Sequence, residues 1–461
     1  MFAKNSYIER RNQLKKDVKS GLILILGNKD VSFNYPANTF TFRQDSNFLY
    51  FFGLNHANMA GMIDIENNKD YIFGNDVDMD DIIWMGFQPT VKEQAAEVGV
   101  EHTLPLLSMF EIITEAIKTG RKIHFTSPYR GETQMQLADL LGIKYTNVKN
   151  YISIELTKAI IKQRSIKSIE EVVEIEKAIA TAYEMHTTAM RMAKPGIFER
   201  EIAGKMEGIA LSAGGPVSFP VILSINGQTL HNHYHGNKLA EGRMMVADAG
   251  CETEMSYCSD ITRTIPVGGK FNQRQKDVYE IVLNANMKAI EAIKPGTPYK
   301  EIHLLSAKVI AEGLKEIGLM KGDMDEAVSK GAHAMFFPHG LGHMLGLDVH
   351  DMEGMGENYV GYDDEIKRST QFGRAFLRLG KRLQQGYVLT VEPGIYFIPA
   401  LIDQWKAENK FTEFINYDKA ETFKDFGGIR IEDDVLVTND GYQVLGKPIP
   451  KTVAEIEEIC L

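Results

Sequence analysis

Lys194-Pro195-Gly196 recurs one hundred residues later as Lys294-Pro295-Gly296, and each copy stands between two predicted helices. A proline followed by glycine ends a helix, so the first helix of each pair stops at its tripeptide. Ser168 opens the earliest helix, because Glu171 three residues later completes a capping box. The four predicted helices cover Ser168 to the first tripeptide, about 199–213, Asn272 to the second tripeptide, and about 299–317.

The repeated order of elements predicts an internal duplication. An apolar strand segment containing histidine follows each helix pair. Two copies of one helix–helix–strand unit would form an α+β domain with pseudo-twofold symmetry and a sheet shared between the halves. Chance is the competing explanation, because a Pro-Gly helix stop is common, but the matching order favours duplication.

The region before this duplication predicts a separate domain. The 461 residues are enough for two or three domains. Residues 1–165 alternate strands and helices, which is typical of an α/β domain, and the duplicated domain covers residues 166–461. The predicted strands of the first domain lie at 22–26, 50–53, 61–65, 71–73 and 122–125, and a helix lies at 107–118.

Composition narrows the class of protein. The hydrophobic fraction of 44% and charged fraction of 25% exclude a disordered or fibrous chain. A net charge of −11 argues against nucleic acid or an anionic membrane as the main partner. Three cysteines are too few for a secreted disulfide framework. With no apolar leader after MFAKNSYIERR and no apolar run of membrane-spanning length, we expect a cytoplasmic protein.

Two aspartates mark the first strands of the duplicated domain. Asp248 stands near the end of the predicted strand Met244–Ala249. Asp260 precedes a second predicted strand, in which apolar and polar residues alternate from Ile261. If the two strands form a hairpin centred on Glu254, the carboxylates face each other. Facing carboxylates repel unless a cation or a proton separates them. An exposed hairpin with scattered charges is the competing explanation, and the pattern leaves the two equally favoured.

Three further side chains complete a possible metal-binding set. His343 lies in a glycine-rich segment that holds three of the twelve histidines, and Glu392 and Glu432 each follow an apolar strand residue. Four carboxylates and one imidazole without cysteine suit manganese, cobalt or zinc rather than a structural zinc site. Four negative charges balance two divalent cations, which indicates hydrolysis by a two-metal centre but no particular substrate.

The chain resembles the pita-bread metallopeptidases, and among them Xaa-Pro aminopeptidase (aminopeptidase P). The resemblance rests on DAGCE (248–252), SDITRTIPVGGKF (259–271), HGLGHMLGLDVHD (339–351), TVEPGIY (390–396) and GIRIEDD (428–434), with FRQDSNFLYFFG (42–53) in the first domain. It implies a creatinase-like α/β N-terminal domain and a pita-bread catalytic domain. It also implies removal of the N-terminal residue from peptides with proline second, by attack of a metal-bridging hydroxide on the scissile carbonyl.

The resemblance also assigns roles to individual residues. Two divalent ions, manganese first with cobalt and zinc as the other options, would be held by Asp248, Asp260, His343, Glu392 and Glu432. Asp260 and Glu432 would bridge them. The catalytic residues would be Glu392 as general acid/base, His350 and His231 as outer histidines that contact the substrate, and His339 near the site, with Arg430 behind the ligands.

Some features depart from the family pattern. The gap from Asp248 to Asp260 is one residue longer than expected, which predicts a bulge in the hairpin. Spacing favours His231 as an outer histidine, whereas the following tyrosine favours His233. Residues 353–383 and 397–425 are polar insertions that could rim the site, so the family's substrate-contacting arginine has no assigned position.

Two other functions stay open. The same fold acts as an Xaa-Pro dipeptidase (prolidase) when the far side of the substrate is blocked, and a metal-free relative would bind peptides without cleaving them. The presence of all five ligand types argues against the metal-free relative. We expect peptide substrates, a homodimer or larger homo-oligomer, and neither nucleic-acid nor membrane partners.

Overall fold

The computed structural model describes residues 1–460 and contains two compact units. The first unit comprises residues 1–164 and 352–359, and the second comprises residues 165–351 and those from 360 onward. The helices are α1 Lys4–Val18, α2 Ser46–Phe52, α3 Met79–Met85, α4 Val91–Glu97, α5 Ser108–Lys118, α6 Gly131–Leu141, α7 Ile154–Ser165, α8 Ile169–Met192, α9 Glu199–Ser212, α10 Gln273–Glu291, α11 Tyr299–Glu316, α12 Met324–Lys330, α13 Glu357–Val360, α14 Pro399–Ala407, α15 Tyr417–Glu421 and α16 Val453–Cys460. The strands are β1 Leu22–Leu26, β2 Ser32–Tyr35, β3 Asn38–Thr39, β4 Ala60–Asp64, β5 Lys69–Phe73, β6 His102–Leu104, β7 Ile123–His124, β8 Ile222–Ser224, β9 Met244–Ala249, β10 Ile261–Pro266, β11 Val388–Val391, β12 Gly394–Tyr396, β13 Gly428–Arg430, β14 Asp433–Val437 and β15 Tyr442–Val444. Across residues 1–460, none of these helices combines the length and the apolar character needed to cross a bilayer.

The first unit contains a mixed five-stranded sheet in the order β6-β5-β4-β1-β7. The strands predicted at 61–65 and 71–73 are confirmed, since β4 and β5 pair antiparallel across the turn that contains Asn67. The strand predicted at 50–53 is wrong, because those residues end helix α2. Asp45 caps the start of that helix, and Gly53, with φ of 65°, ends it. Local capping therefore outweighed the β-propensity of the aromatic run.

The duplication predicted for the second unit is confirmed by matching backbone hydrogen bonds. At the first tripeptide, the Gly196 N–H donates to the Leu239 carbonyl oxygen, and the Glu199 N–H donates to the Asn237 carbonyl oxygen. After the second, the Gly296 N–H donates to Leu383 and the Tyr299 N–H donates to Lys381. Both partner segments lead directly into a strand, β9 or β11. Each half therefore holds the segment that precedes β9 or β11 against the turn between its two helices.

The sheet expected to be shared between the halves is instead three smaller sheets. Their strand orders are β10-β9-β8, β11-β14-β15 and β12-β13. Individual hydrogen bonds join the halves, for example from the Glu432 N–H to the Thr262 carbonyl oxygen at 3.0 Å. The Thr264 hydroxyl likewise donates to the Arg430 carbonyl oxygen and accepts from the Arg430 N–H.

The β9–β10 hairpin has a different register from the predicted one. Asp248 pairs with Thr262, and Ala249 pairs with Ile261, so Asp248 does not lie directly opposite Asp260. The ladder runs without a shift from Ala249 to Met244, so the predicted bulge is absent from these strands. Because side chains alternate with a period of two, a two-residue offset still leaves both aspartates on one face of the hairpin.

Candidate metal centre

Strand ends bring the five predicted ligands to one cavity of about 700 Å³, which is lined by Asp248, Asp260, His343, Glu392 and Glu432. Asp248 and Glu392 each stand four residues after the first residue of their strands, β9 and β11. Asp260 immediately precedes β10, and Glu432 lies between β13 and β14. The duplicated backbone thus supplies two carboxylates from each half.

His343 is held by strand-like pairing rather than by a helix. Its carbonyl oxygen accepts from the Thr390 N–H, and the neighbouring Met344 forms a bridge with Leu389 of β11. The Nδ1 atom lies 3.0 Å from the Met344 carbonyl oxygen and donates to it. The lone pair is therefore on Nε2, which lies 3.4 Å from Asp260 and 3.9 Å from Glu392.

The donor atoms fit a divalent metal ion. One ligand atom from each of Asp260, His343 and Glu432 lies within 4.8 Å of the other two. The Oδ1 atoms of Asp248 and Asp260 are buried and have no hydrogen-bond donor within the described residues. Buried carboxylate oxygens without donors are costly unless a cation or a proton meets them.

The electrostatics agree with this fit. Burial, followed by the charge of Asp248, raises the pKa of Asp260 well above its usual range. Burial and the charges of Asp260 and Glu392 do the same to the pKa of Glu432. Burial raises the pKa of Glu392 to about 8, although Arg430 opposes the shift. Carboxylates so placed need positive charge between them to ionise together.

Polar side chains behind the ligands fix their orientation. Arg430 donates to Asp248 Oδ2 at 2.5 Å, and the Thr262 hydroxyl donates to Glu432 Oε2 at 2.6 Å. The Asp260 N–H donates to buried Asp434 at 3.0 Å. The contacts to Asp248 and Glu432 each engage one carboxylate oxygen, and the contact to Asp434 holds the Asp260 backbone, so the three together orient the candidate ligands.

The two histidines expected to contact substrate, His350 and His231, both line the cavity. His350 packs against His343 with ring centroids 4.1 Å apart. The adjacent Asp351 forms a buried ion pair with Lys167 at 2.8 Å, which anchors the end of the segment 339–351. His231 and His233 both line the cavity. Burial and Arg430 lower the pKa of His231, which places this imidazole among the charged groups of the site.

His339 has both ring nitrogens engaged. Its Nδ1 donates to the Gly340 carbonyl oxygen at 2.8 Å, so Nε2 accepts from the Tyr396 hydroxyl at 2.9 Å. Tyr396 in turn accepts from Arg430 at 2.8 Å. Burial, assisted by Arg430, lowers the pKa of His339 to about 3, so the ring is neutral. His339 lies 3.8 Å from Glu392.

Several residues in or behind the cavity lining were given no role in the sequence analysis. Tyr396 is the last residue of the TVEPGIY motif, four residues after Glu392, yet its link from His339 to Arg430 depends on two strands meeting. Arg378 lines the cavity from the insertion 353–383, where four arginines gave no reason to select it. An apolar wall was also missed; it comprises Phe219, Pro220, Ile222, Val349 and Phe376. The other insertion, 397–425, contributes no residue to this lining among those described; it forms α14 and α15.

Comparison with protein families and known sequences agrees with this architecture. The model of metallopeptidase family M24 matches residues 173–439, and that of the aminopeptidase P N-terminal domain matches residues 7–124. A probable Xaa-Pro aminopeptidase of Aspergillus clavatus is 32% identical over 98% of this chain and 95% of its own. The Xaa-Pro dipeptidase of Homo sapiens is 33% identical over 95% of this chain and 89% of its own.

Solved structures give the same fold over the full length. Aminopeptidase P from E. coli matches with a TM-score of 0.82 at 28% identity, covering 100% of this chain and 98% of its own. The Pseudomonas aeruginosa aminopeptidase PepP matches with a TM-score of 0.81 at 27% identity and the same coverage. The predicted fold class, an α/β N-terminal domain followed by a pita-bread domain, is thereby confirmed.

Proposed function

This chain belongs to metallopeptidase family M24, and from that membership we propose that it removes the N-terminal residue from peptides with proline in second position. The observation that carries the proposal is the convergence of four carboxylates and His343 in one cavity that also holds two outer histidines and an apolar wall. The similarity to aminopeptidases P over nearly the whole chain supports the same activity.

Two divalent ions held by Asp248, Asp260, His343, Glu392 and Glu432 would, when bound, provide an activated water near neutral pH and polarise the scissile carbonyl. Glu392 is suited to proton transfer, because its side chain is 18% exposed to the cavity whereas that of Asp260 is 7% exposed. His350 and His231, which both line the cavity, would contribute hydrogen bonds to the tetrahedral intermediate. His339 orients its neighbours, since both of its nitrogens are occupied.

The apolar part of the cavity lining supports the proposed specificity for proline. A proline nitrogen carries no hydrogen, so a site for it needs no acceptor at that atom and uses an apolar surface for the ring. Phe219, Val349 and Phe376 offer such a surface. The carboxylate cluster would meet the substrate's amino group, which limits cleavage to the first bond.

Arg378 supports a second candidate function, Xaa-Pro dipeptidase activity. A guanidinium binds a carboxylate through two parallel hydrogen bonds, and Arg378 places one in the lining. The C-terminal carboxylate of a dipeptide would reach such a group, whereas a longer peptide presents an amide there. The human Xaa-Pro dipeptidase is 33% identical to this chain, so the relatives of this chain include dipeptidases as well as aminopeptidases.

A matched peptide panel separates the two functions. We expect Xaa-Pro-Yaa tripeptides to be cleaved at least as well as Xaa-Pro dipeptides, and Arg378→Gln to leave tripeptide cleavage largely intact. If Xaa-Pro is cleaved while Xaa-Pro-amide and the tripeptide are not, and Arg378→Gln removes that preference, the protein is a dipeptidase. Arg382→Gln is the control, because Arg382 pairs with exposed Glu365 outside the cavity lining.

The metal ion, the oligomeric state, the location and the domain boundary are part of the same proposal. Manganese is the expected ion, with cobalt and zinc as the other options, and reloading metal-free protein with each ion measures the preference. A homodimer or larger assembly and a cytoplasmic location are likewise proposed, as is a domain division into 1–165 and 166–461. Light scattering on the full chain, cell fractionation and limited proteolysis test these three in turn.

A further inference from the structure

Glu199 is a buried carboxylate that no step of the proposed chemistry uses. It is the first residue of α9 and its exposure is 0%. Its Oε1 accepts from the Ser224 hydroxyl at 3.0 Å and from the Ile225 N–H at 2.8 Å. Its Oε2 accepts from the Asn237 side-chain amide at 2.9 Å and from the Asn237 N–H at 3.4 Å.

These four donors belong to the two ends of one segment, residues 224–237. The segment contains no helix or strand beyond its first residue, so regular pairing does not hold its middle. It nevertheless carries His231 and His233 into the cavity lining. One carboxylate therefore joins the two ends of the loop that presents both histidines, beside a contact of 3.0 Å between His235 Nε2 and the Val221 carbonyl oxygen.

A hydrogen-bond relay continues from Glu199 to the residue between the two histidines. The Ser224 hydroxyl, which donates to Glu199, accepts from the Asn232 side-chain amide at 3.1 Å. Asn232 in turn accepts from the Tyr234 N–H at 3.0 Å. The relay thus reaches the tip of the loop directly between His231 and His233.

Only a carboxylate satisfies this arrangement. Both oxygens of Glu199 face two donors each, and a glutamine would turn its NH₂ group toward one of those pairs. Such a mismatch leaves buried N–H groups without an acceptor, which is strongly unfavourable. The residue type is therefore explained by the loop rather than by the helix that it starts.

We infer that Glu199, acting through Ser224 and Asn232, is the positioning residue that holds the segment 225–237 and its histidines against the cavity. The inference rests on the proposed function only for the statement that His231 or His233 contacts substrate. The holding of the loop stands on the contacts alone.

The test compares Glu199→Gln and Ser224→Ala with a matched control, Asp64→Asn. Asp64 is a buried carboxylate of the first unit that also accepts four hydrogen bonds, from Asn67 and Arg121. Hydrogen exchange of metal-free and metal-loaded protein measures loosening of residues 225–237 directly. Metal content, kcat and KM are measured on the same preparations, with His231→Ala and His233→Ala as further backgrounds.

We expect Glu199→Gln to speed exchange in residues 225–237 about tenfold or more, with residues 388–396 unchanged. It should lower kcat by about 10- to 100-fold at unchanged metal content, as expected for misplaced catalytic groups. Ser224→Ala should do the same to a smaller extent. One of the two histidine variants, His231→Ala or His233→Ala, removes the histidine that contacts substrate. In that variant, adding Glu199→Gln should cause no further loss of kcat.

Three results would overturn the inference. The first is unchanged exchange in residues 225–237 in Glu199→Gln, and the second is a loss of kcat that adds fully to that of both histidine variants. The third is an equal effect of Asp64→Asn on residues 225–237, because the loosening would then be general. If both histidine variants turn over normally, the proposed role of the histidines fails, and the exchange data still decide whether Glu199 holds the loop.

Discussion

The two halves of the second unit share a backbone and differ in how they hold their histidines. In the second half, His343 lies on an extended segment that β11 pairs with through the backbone. In the first half, His231 lies on an irregular loop that depends on Glu199 and Ser224. The equivalent of Glu199 is Tyr299, whose hydroxyl donates one hydrogen bond, to the Thr390 carbonyl oxygen at 2.6 Å.

This difference shows what a duplicated backbone can and cannot provide. Strand ends at equivalent positions supply the carboxylates Asp248 and Glu392 symmetrically. Side chains that meet a substrate need not be symmetric, because a substrate is not. The halves are therefore alike in the strand-end carboxylates, Asp248 and Glu392, that they bring to the cavity, and unlike in how they hold His231 and His343.

The largest expected effect tests the symmetric part of the comparison. Asp260→Asn and Glu432→Gln each remove one ligand charge, one from each half, and both should lose bound metal. We expect kcat to fall by about two to four orders of magnitude in both, as it should in Glu392→Gln. Metal per chain, measured by elemental analysis after dialysis against a chelator, checks the cause. If protein treated with chelator and shown to contain no metal kept full turnover, the metal mechanism would be contradicted.

The next effect tests the asymmetric part. His350→Ala in the second half and His231→Ala in the first should each keep both ions and lower kcat by about 10²- to 10³-fold. Single-turnover kinetics with a tripeptide measure the loss. If His231→Ala is nearly normal and His233→Ala is not, the histidine assignment in the first half changes. Loss of metal from His350→Ala would make His350 a ligand.

A smaller effect is expected from Tyr299→Phe. The substitution removes one buried hydrogen bond and leaves the Thr390 carbonyl oxygen without that donor, so unfolding should cost about 1–2 kcal/mol less. Urea denaturation of metal-free protein measures it. Exchange in residues 225–237 should not change, because those residues belong to the other half. A loosened 225–237 segment would show that the halves are not independent.

The smallest effect tests the two tripeptide turns. Gly196 and Gly296 have φ of 93° and 86°, and a Cβ at either position would meet no atom within 4 Å. Alanine there costs backbone strain alone, about 1 kcal/mol in each half. The two variants should therefore lose equal stability and keep normal kcat. A clear inequality in their urea midpoints would break the structural equivalence of the turns.

Much of the architecture could be predicted because it depends on local signals. Capping boxes at Ser168 and Asn272 and the two Pro-Gly stops set the four helices of the duplication within a few residues. Where local signals conflicted the prediction failed, as at 50–53, where the cap at Asp45 and the stop at Gly53 made a helix of an aromatic run. Five ligand positions were predicted in residue type and order, and the structure brings all five to one cavity.

The sequence by itself determined the four helices of the duplication, the duplication and the residue types of the five candidate ligands, because those follow from residue type and spacing along one chain. Only the tertiary structure decided the hairpin register, the separation into three sheets and the position of Arg378 in the cavity. It also decided the task of Glu199, whose partners lie 25 to 38 residues away. These features depend on contacts between residues that are far apart in the sequence, and residue spacing along the chain does not specify which of those residues come into contact.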